Sequence, residues 1–216
     1  MYLRFKLILA ALTLSTAAFS QIINTATPDS FQVRYVANLR SGSSFVDIVN
    51  TGASATSSAG FITGGNICVQ VYALDSTEEL LACCTCTITP NGLASIEVDN
   101  TVNGLFGNTE TGGSPSSGVI KLVATNLSGA GCVATAPGTL VAGMAAWGGT
   151  LHNLEIPAGT VTSRFQITET PFTLAPLSAG EYAHLTTFCA FDQVNGTGQG
   201  VCAGCRLTGL GASASQ

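Results

Sequence analysis

Eight cysteines, two histidines and a thin scatter of carboxylates are the residues of this chain whose types could do chemistry. Three of the cysteines crowd into Cys83-Cys84-Thr85-Cys86, and two form Cys202-Ala203-Gly204-Cys205. A Cys-x-x-Cys pair can exchange thiol for disulfide, but such pairs sit ahead of a helix within a βαβ unit, where the thiolate is stabilised. The Gly-rich flanks of Cys202 supply no such setting. Thiolates from the two clusters could instead hold zinc, yet the usual second Cys-x-x-Cys is missing. Disulfides remain. An even number of cysteines in an exported chain reads as a bridge framework, and eight allow 105 pairings, so counting alone does not give the connectivity. Cys68, Cys83, Cys84, Cys86, Cys132, Cys189, Cys202 and Cys205 are all disulfide candidates, each bridge contributing roughly 2–4 kcal/mol.

The other chemistry is sparse. His152 and His184 are the only imidazoles, and no Gly-x-Ser-x-Gly elbow or His-Glu-x-x-His motif accompanies them. Carboxylates at Glu78, Glu79, Glu97, Asp99, Glu155 and Glu169 could pair for glycoside hydrolysis. Glu97 and Asp99 alternate with Ile96 and Val98, however, which more simply makes a solvent face. The glycines match turns rather than a phosphate loop. No catalytic residue, metal ligand or cofactor is therefore assigned. Trp147, Tyr35, Tyr72 and Phe106 could stack on sugar rings; core packing accounts for most of them, and Phe106, Trp147 and His152 remain as a candidate binding surface.

These residues must be positioned by an exported scaffold. Arg4 and Lys6, the apolar run Leu7 to Phe19 and the small-x-small site Ala18-Phe19-Ser20 read as a secretory signal over residues 1–20. The apolar run is shorter than the ~20 residues of a membrane span, and neither a lipoprotein cysteine nor another membrane anchor is read. Residues 21–216 then form one domain, long enough to bury a substantial core. Two of the seven basic residues leave with the signal, so five face twelve acidic ones. That balance argues against nucleic acid as a partner, because binding it needs a basic patch. Only 9% of residues are charged, against about 25% in ordinary domains. The protein is expected to be secreted, to the extracellular space or the periplasm.

Short alternating runs separated by Gly, Asn and Pro punctuate that domain. Phe31–Val36, Ser44–Val49, Asn66–Leu74, Glu79–Thr89, Val119–Leu127 and Arg164–Thr168 read as strands, with two more around Trp147-Gly148-Gly149. Ala53–Asn66 and Asn103–Gly118 read as long loops. The pattern predicts a mainly β fold, an antiparallel sandwich or barrel stapled by disulfides. Ser178-Ala179-Gly180-Glu181 is a capping box with Leu177 and Tyr182 as a staple, so one helix is expected over about 178–193, its buried face carrying Tyr182, Leu185, Phe188 and Cys189.

The cysteine-rich strand carries the sharpest expectation. Strand alternation puts Cys84 and Cys86 on one face and Cys83 on the other. Were Pro90-Asn91-Gly92 a three-residue hairpin loop with Gly92 left-handed, Cys84, Cys86 and Ile88 would face Val98, Ile96 and Ala94 across a ladder. Thr85 and Thr87 would lie on the wet side. Cys84 and Cys86 should then staple inward, toward Cys132 or the Cys189–Cys205 region. An odd-sum register with the preceding strand would place Cys68 on the Cys83 face, favouring a Cys68–Cys83 bridge.

The segments Cys86-Thr87-Ile88-Thr89-Pro90-Asn91-Gly92-Leu93, Ala145-Ala146-Trp147-Gly148-Gly149-Thr150-Leu151-His152, Thr170-Pro171-Phe172 and Leu177-Ser178-Ala179-Gly180-Glu181 are similar to those of a group of uncharacterised secreted proteins of soil bacteria. The resemblance spans most of residues 21–216. It implies export and a bacterial source, and it assigns no site residue. The chain is expected to be a non-catalytic structural or surface-interaction protein that associates with itself through strand edges or the Gln21–Ser30 segment. The alternatives are an extracellular module binding a glycan or protein partner, and a secreted hydrolase.

Overall fold

A computed structural model describes residues 29–40, 44–58, 61–98, 104–107, 109, 112–129, 131–154 and 164–194. The signal segment, the Gln21 to Pro28 stretch, Asp99, Glu155, Cys202 and Cys205 lie outside the described residues. Among the described residues, apolar and small residues alternating through short runs build eleven strands: β1 (Phe31–Ala37), β2 (Ser44–Asn50), β3 (Thr56–Ser58), β4 (Phe61–Thr63), β5 (Ile67–Leu74), β6 (Leu80–Ile88), β7 (Leu93–Val98), β8 (Ser117–Thr125), β9 (Met144–Leu154), β10 (Arg164–Pro171) and β11 (Thr173–Leu174). The helix α1 (Ala179–Val194) follows β11.

The strands form two antiparallel sheets, a five-stranded one ordered β11-β1-β8-β5-β6 and a four-stranded one ordered β10-β9-β2-β7, with β3 and β4 making a separate short hairpin. The sheets do not close into a barrel, so the sandwich is the form adopted. Their facing sides share the main core, in which Val69, Val71, Cys84, Cys86 and Leu122 meet Val46, Ile48, Ile96 and Ala146. The helix lies on the outer side of the five-stranded sheet. There Leu185 and Cys189 join Phe31, Tyr72, Cys83 and Val123 in a second cluster.

The start of α1 follows the capping box: the Glu181 amide donates to Ser178 Oγ at 3.1 Å, and Leu177 and Tyr182 pack in one cluster. The Glu181 carboxylate turns outward to Lys121 Nζ at 2.8 Å, which ties the helix to β8. Phe188 differs from expectation. It is 48% exposed and stacks on His184 at 4.4 Å instead of joining the seam.

The turn after β6 is the main correction. Among the described residues β6 pairs only with β5, whereas β7 pairs with β2 in the other sheet. Thr89–Gly92 is therefore a corner between sheets rather than a hairpin loop. The facing still came out as expected: Cys84, Cys86 and Ile88 look inward, as do Ala94, Ile96 and Val98. They meet across the core instead of across a ladder, because apolar matching dictates which sides face and leaves the hydrogen-bond partner open. The Gly92 amide donates to Thr89 O at 2.8 Å, with Pro90 second in the turn and Asn91 at φ 60° in third place, a type II arrangement. Asn91, not Gly92, takes the left-handed position.

Two bridges also differ from expectation. Cys68 bonds Cys132, with Cα atoms 5.4 Å apart, and Cys83 bonds Cys189 at 5.7 Å. The odd-sum register is present and does place Cys68 and Cys83 on one face, but Cys68 sits opposite Thr87 and Cys83 opposite Tyr72. Four strand positions, ~13 Å, separate the two, far beyond the reach of a bridge. Cys84 and Cys86 are disulfide-bonded too, and Cys132 and Cys189 are not their partners. Such bridges suit an oxidising compartment. Finally, the residues around Trp147 form a single long strand, β9, where two were expected, and Ala53–Asn66 holds the β3–β4 hairpin.

Candidate functional site

The expected binding surface of Phe106, Trp147 and His152 does not assemble. Phe106 is fully buried in the main core, its ring against Gly118. The loop carrying it turns Leu105 and Phe106 inward because a sandwich open at its ends needs apolar plugs. Trp147 is 37% exposed on the outer side of the four-stranded sheet. His152 lies five residues along β9, so strand alternation points it to the opposite side, where its Nδ1 is 3.4 Å from Asn38 Nδ2. His184 is exposed on α1. Tyr35 is 65% exposed, whereas Tyr72 is wholly buried.

Among the described residues, Glu97 and Glu169 do not pair for hydrolysis. Glu169, Gly149, Phe45 and Glu97 form one row across β10, β9, β2 and β7. Glu97 and Glu169 are thus three strand spacings apart, ~14 Å, outside the roughly 5–10 Å that glycosidase pairs require. Asp47, in the next row between Ser95 and Trp147, is buried and accepts a short hydrogen bond from the Ser95 hydroxyl. Among the described residues, no three His, Cys, Asp or Glu side chains gather to hold a metal ion, and no helix is long and apolar enough to cross a membrane.

What the fold does present is an open strand edge. The two glycines after Trp147 let β9 run between bulky neighbours. A Cβ on Gly148 would collide with the Arg34 side chain inside the sandwich, and one on Gly149 would collide with the Phe45 ring outside it. Arg34 thereby reaches across from β1: Nη1 donates to Thr170 O at 2.8 Å and to the Thr170 hydroxyl, and Nη2 reaches Thr150 Oγ1 at 3.4 Å. Its guanidinium lies 6.0 Å from the centre of the Phe172 ring. Burial lowers the Arg34 pKa, and Glu169 opposes that shift.

Phe172 anchors the end of β10. It is 6% exposed, and its amide donates to Ala146 O at 2.8 Å. That bond sets the ladder: the even residues of β10 turn their backbone groups to β9, and the odd ones, Phe165, Ile167 and Glu169, turn theirs outward. Pro171 falls on an outward position, where it loses no ladder bond. Residues Gln166 to Pro171 are all exposed, on both faces of the strand, and Ile167 is 52% exposed.

On the opposite flank, β6 and β7 receive hydrogen bonds at single points from outside their ladders. Gln193 Nε2 donates to Cys83 O on β6 at 3.3 Å, Asn50 Nδ2 to Ile88 O at 2.9 Å, and the Leu105 amide to Glu97 O on β7 at 2.9 Å. Among the described residues no hydrogen bond reaches the outward backbone groups of Ile167 or Glu169. Sequence reading missed Arg34, Phe172 and the edge itself. Pro171 within an alternating run was the available signal, since proline in a sheet marks an edge. No family model, curated protein or solved structure matches this chain.

Proposed function

We propose that this is an exported, non-catalytic surface-interaction protein that associates with itself through β10. The observation that carries the reading is the open β10 edge, eight residues long, with the apolar side chain of Ile167 exposed at its centre and Arg164 and Glu169 as its charged residues. A two-fold axis through Ile167 would set Ile167 against Ile167 of a second copy. Phe165 would then oppose Glu169 in both directions, and every outward backbone group of these residues would be paired. Two four-stranded sheets would merge into one of eight, the mode of strand addition used elsewhere for recognition. Export is supported by the signal-like residues 1–20 together with the disulfides.

The test is light scattering of the mature protein across a concentration series, alongside Ile167→Pro. That substitution removes only an outward N–H and leaves the β9 ladder intact, as Pro171 already does. Wild type should associate, and Ile167→Pro should weaken association at least tenfold with an unchanged circular dichroism spectrum. A wild type that stays monomeric at the highest concentration reached, or a variant that associates equally well, refutes the reading. The partly exposed Trp147 indole favours a second reading, a glycan-binding module. Binding on a glycan array that Trp147→Ala abolishes, in a monomeric protein, would select it.

A further inference from the structure

Gln70 sits at the middle of β5, itself flanked by β8 and β6, and it is fully buried. Its register neighbours are Val123 on β8 and Thr85 on β6, and Tyr72 is the next residue of β5 on the same outer side. Gln70 Oε1, Gln70 Nε2, Tyr72 OH and Thr85 Oγ1 are all shielded from solvent, and among the described residues none has a hydrogen-bond partner. A buried polar atom left unpaired costs more than an ordinary hydrogen bond contributes, and native proteins hold only a few such atoms per hundred residues. Four in one contiguous patch is a concentration that packing does not require. Valine at position 70 would complete the apolar row that Phe31 and Val123 begin on this side of the sheet.

The patch is also bracketed. Cys68, two residues before Gln70 on the same side, is bridged to Cys132. Cys83, opposite Tyr72, is bridged to Cys189 of α1. The two staples stand four strand positions apart, ~13 Å, and hold the helix and the Cys132 loop over the sheet on either side of Gln70. Leu185 and Ala134 supply apolar walls. Thr85 is partly exposed, and β6 is the sheet edge, so access lies on that flank.

We propose that this stapled seam is a binding site for a small uncharged hydrogen-bonding ligand, water being its smallest member, recognised by the Gln70 amide with the Tyr72 and Thr85 hydroxyls. The amide offers one donor and one acceptor side by side, and each hydroxyl can do either. A ligand that both donates and accepts therefore pairs with several of the four atoms at once, as internal waters do with about three hydrogen bonds each.

A crystal structure of the exported protein, at a resolution that shows ordered water, tests this directly. Discrete density within hydrogen-bond distance of the Gln70 amide and at least one of the two hydroxyls supports the site, and its shape separates water from a larger solute. Gln70→Leu gives an independent reading by sign. With a bound ligand, the substitution strands its partners and lowers the melting temperature by several degrees. Without one, it removes two unpaired polar atoms and raises it. An empty, dry seam in the crystal, or a raised melting temperature for Gln70→Leu, overturns the proposal. Self-association through β10 is unaffected by either outcome.

Discussion

Removing the Asn50 side chain should loosen the corner that joins the two sheets. Asn50 ends β2 with no exposed surface. Its Nδ2 donates to Ile88 O at 2.9 Å and to Gly65 O at 2.8 Å, and its Oδ1 accepts from the Gly52 amide at 2.9 Å. One side chain thus joins the end of β6, the loop before β5 and the turn after β2. Asn50→Ala deletes all three bonds, while the two backbone bonds between Asn50 and the Asn91–Gly92 turn remain. At about 1 kcal/mol for each bond the loss is about 3 kcal/mol, more if the Ile88 carbonyl stays buried without a partner. In a chain of this size that corresponds to a melting temperature lower by about 6–12 °C. Asn50→Asp keeps the acceptor for Gly52 but loses both donors and buries a charge. At neutral pH it should be at least as unstable, with partial recovery in acid as the carboxyl protonates. Thermal unfolding followed by far-ultraviolet circular dichroism, with the disulfides intact, reads all of this. If Asn50→Ala melts within about 2 °C of wild type, the corner is held by its backbone alone and the reasoning is refuted.

Other perturbations have equally definite outcomes. Gly148→Ala should cost about 1–3 kcal/mol by overpacking, and Arg34→Ala in the same chain should return most of it, because the collision is with Arg34; denaturant unfolding of the four members of that cycle measures the coupling. Gly149→Ala should couple in the same way to Phe45→Ala. Replacing Cys83 and Cys189 with alanine opens a sequence separation of 106, and replacing Cys68 and Cys132 one of 64. Loop-closure entropy predicts losses of about 5 and about 4 kcal/mol respectively, and only the first should speed hydrogen exchange along α1. Burial, with Tyr182 adding to it, raises the Tyr72 hydroxyl above its ordinary 10.0. The folded state therefore holds this proton more tightly than the unfolded chain. The stability it contributes is complete below pH 10 and is lost as pH rises beyond it. Urea midpoints should fall above pH 10, and less steeply in Tyr72→Phe.

Alternation made most of the scaffold legible. It carried β1, β2, β5, β6 and the inward facing of Cys84 and Cys86, because burying one face specifies which residues look inward. It was silent on strand partners. The Pro90-Asn91-Gly92 turn looks the same from sequence whether the chain doubles back in one sheet or crosses to the other, since both reverse its direction. The bridge partners failed for a related reason. Sharing a face is necessary for a disulfide, but Cys68 and Cys83 also needed proximity along the strand, which the five-residue connection after Leu74 prevented. Capping chemistry, being local, placed α1 to within a residue. Phe106 and the Gln70 patch were hidden because exposure is a property of the whole packing, and neither a Gly-rich loop nor a lone buried glutamine signals it.

The distribution of staples bears on the proposed pairing through β10. Every described cysteine lies on β5 or β6 or is tied to them by a bridge or by the core. β10 carries none; it is joined to the other sheet by the chain itself, which passes through Phe172 into β11, and by the contacts of Arg34 and Phe172. β6 and β7 accept hydrogen bonds from side-chain and loop donors at Cys83, Ile88 and Glu97. An uncovered β10 on the flank without covalent locks is what strand addition needs: an edge free to pair, on a sheet held firmly enough elsewhere that pairing does not unravel it. Arg34→Met tests this division of labour. It should free β10 from β1 and raise hydrogen exchange in β10 while leaving β5 and β6 protected. Equal loosening of both flanks would mean that the staples do not partition the sandwich.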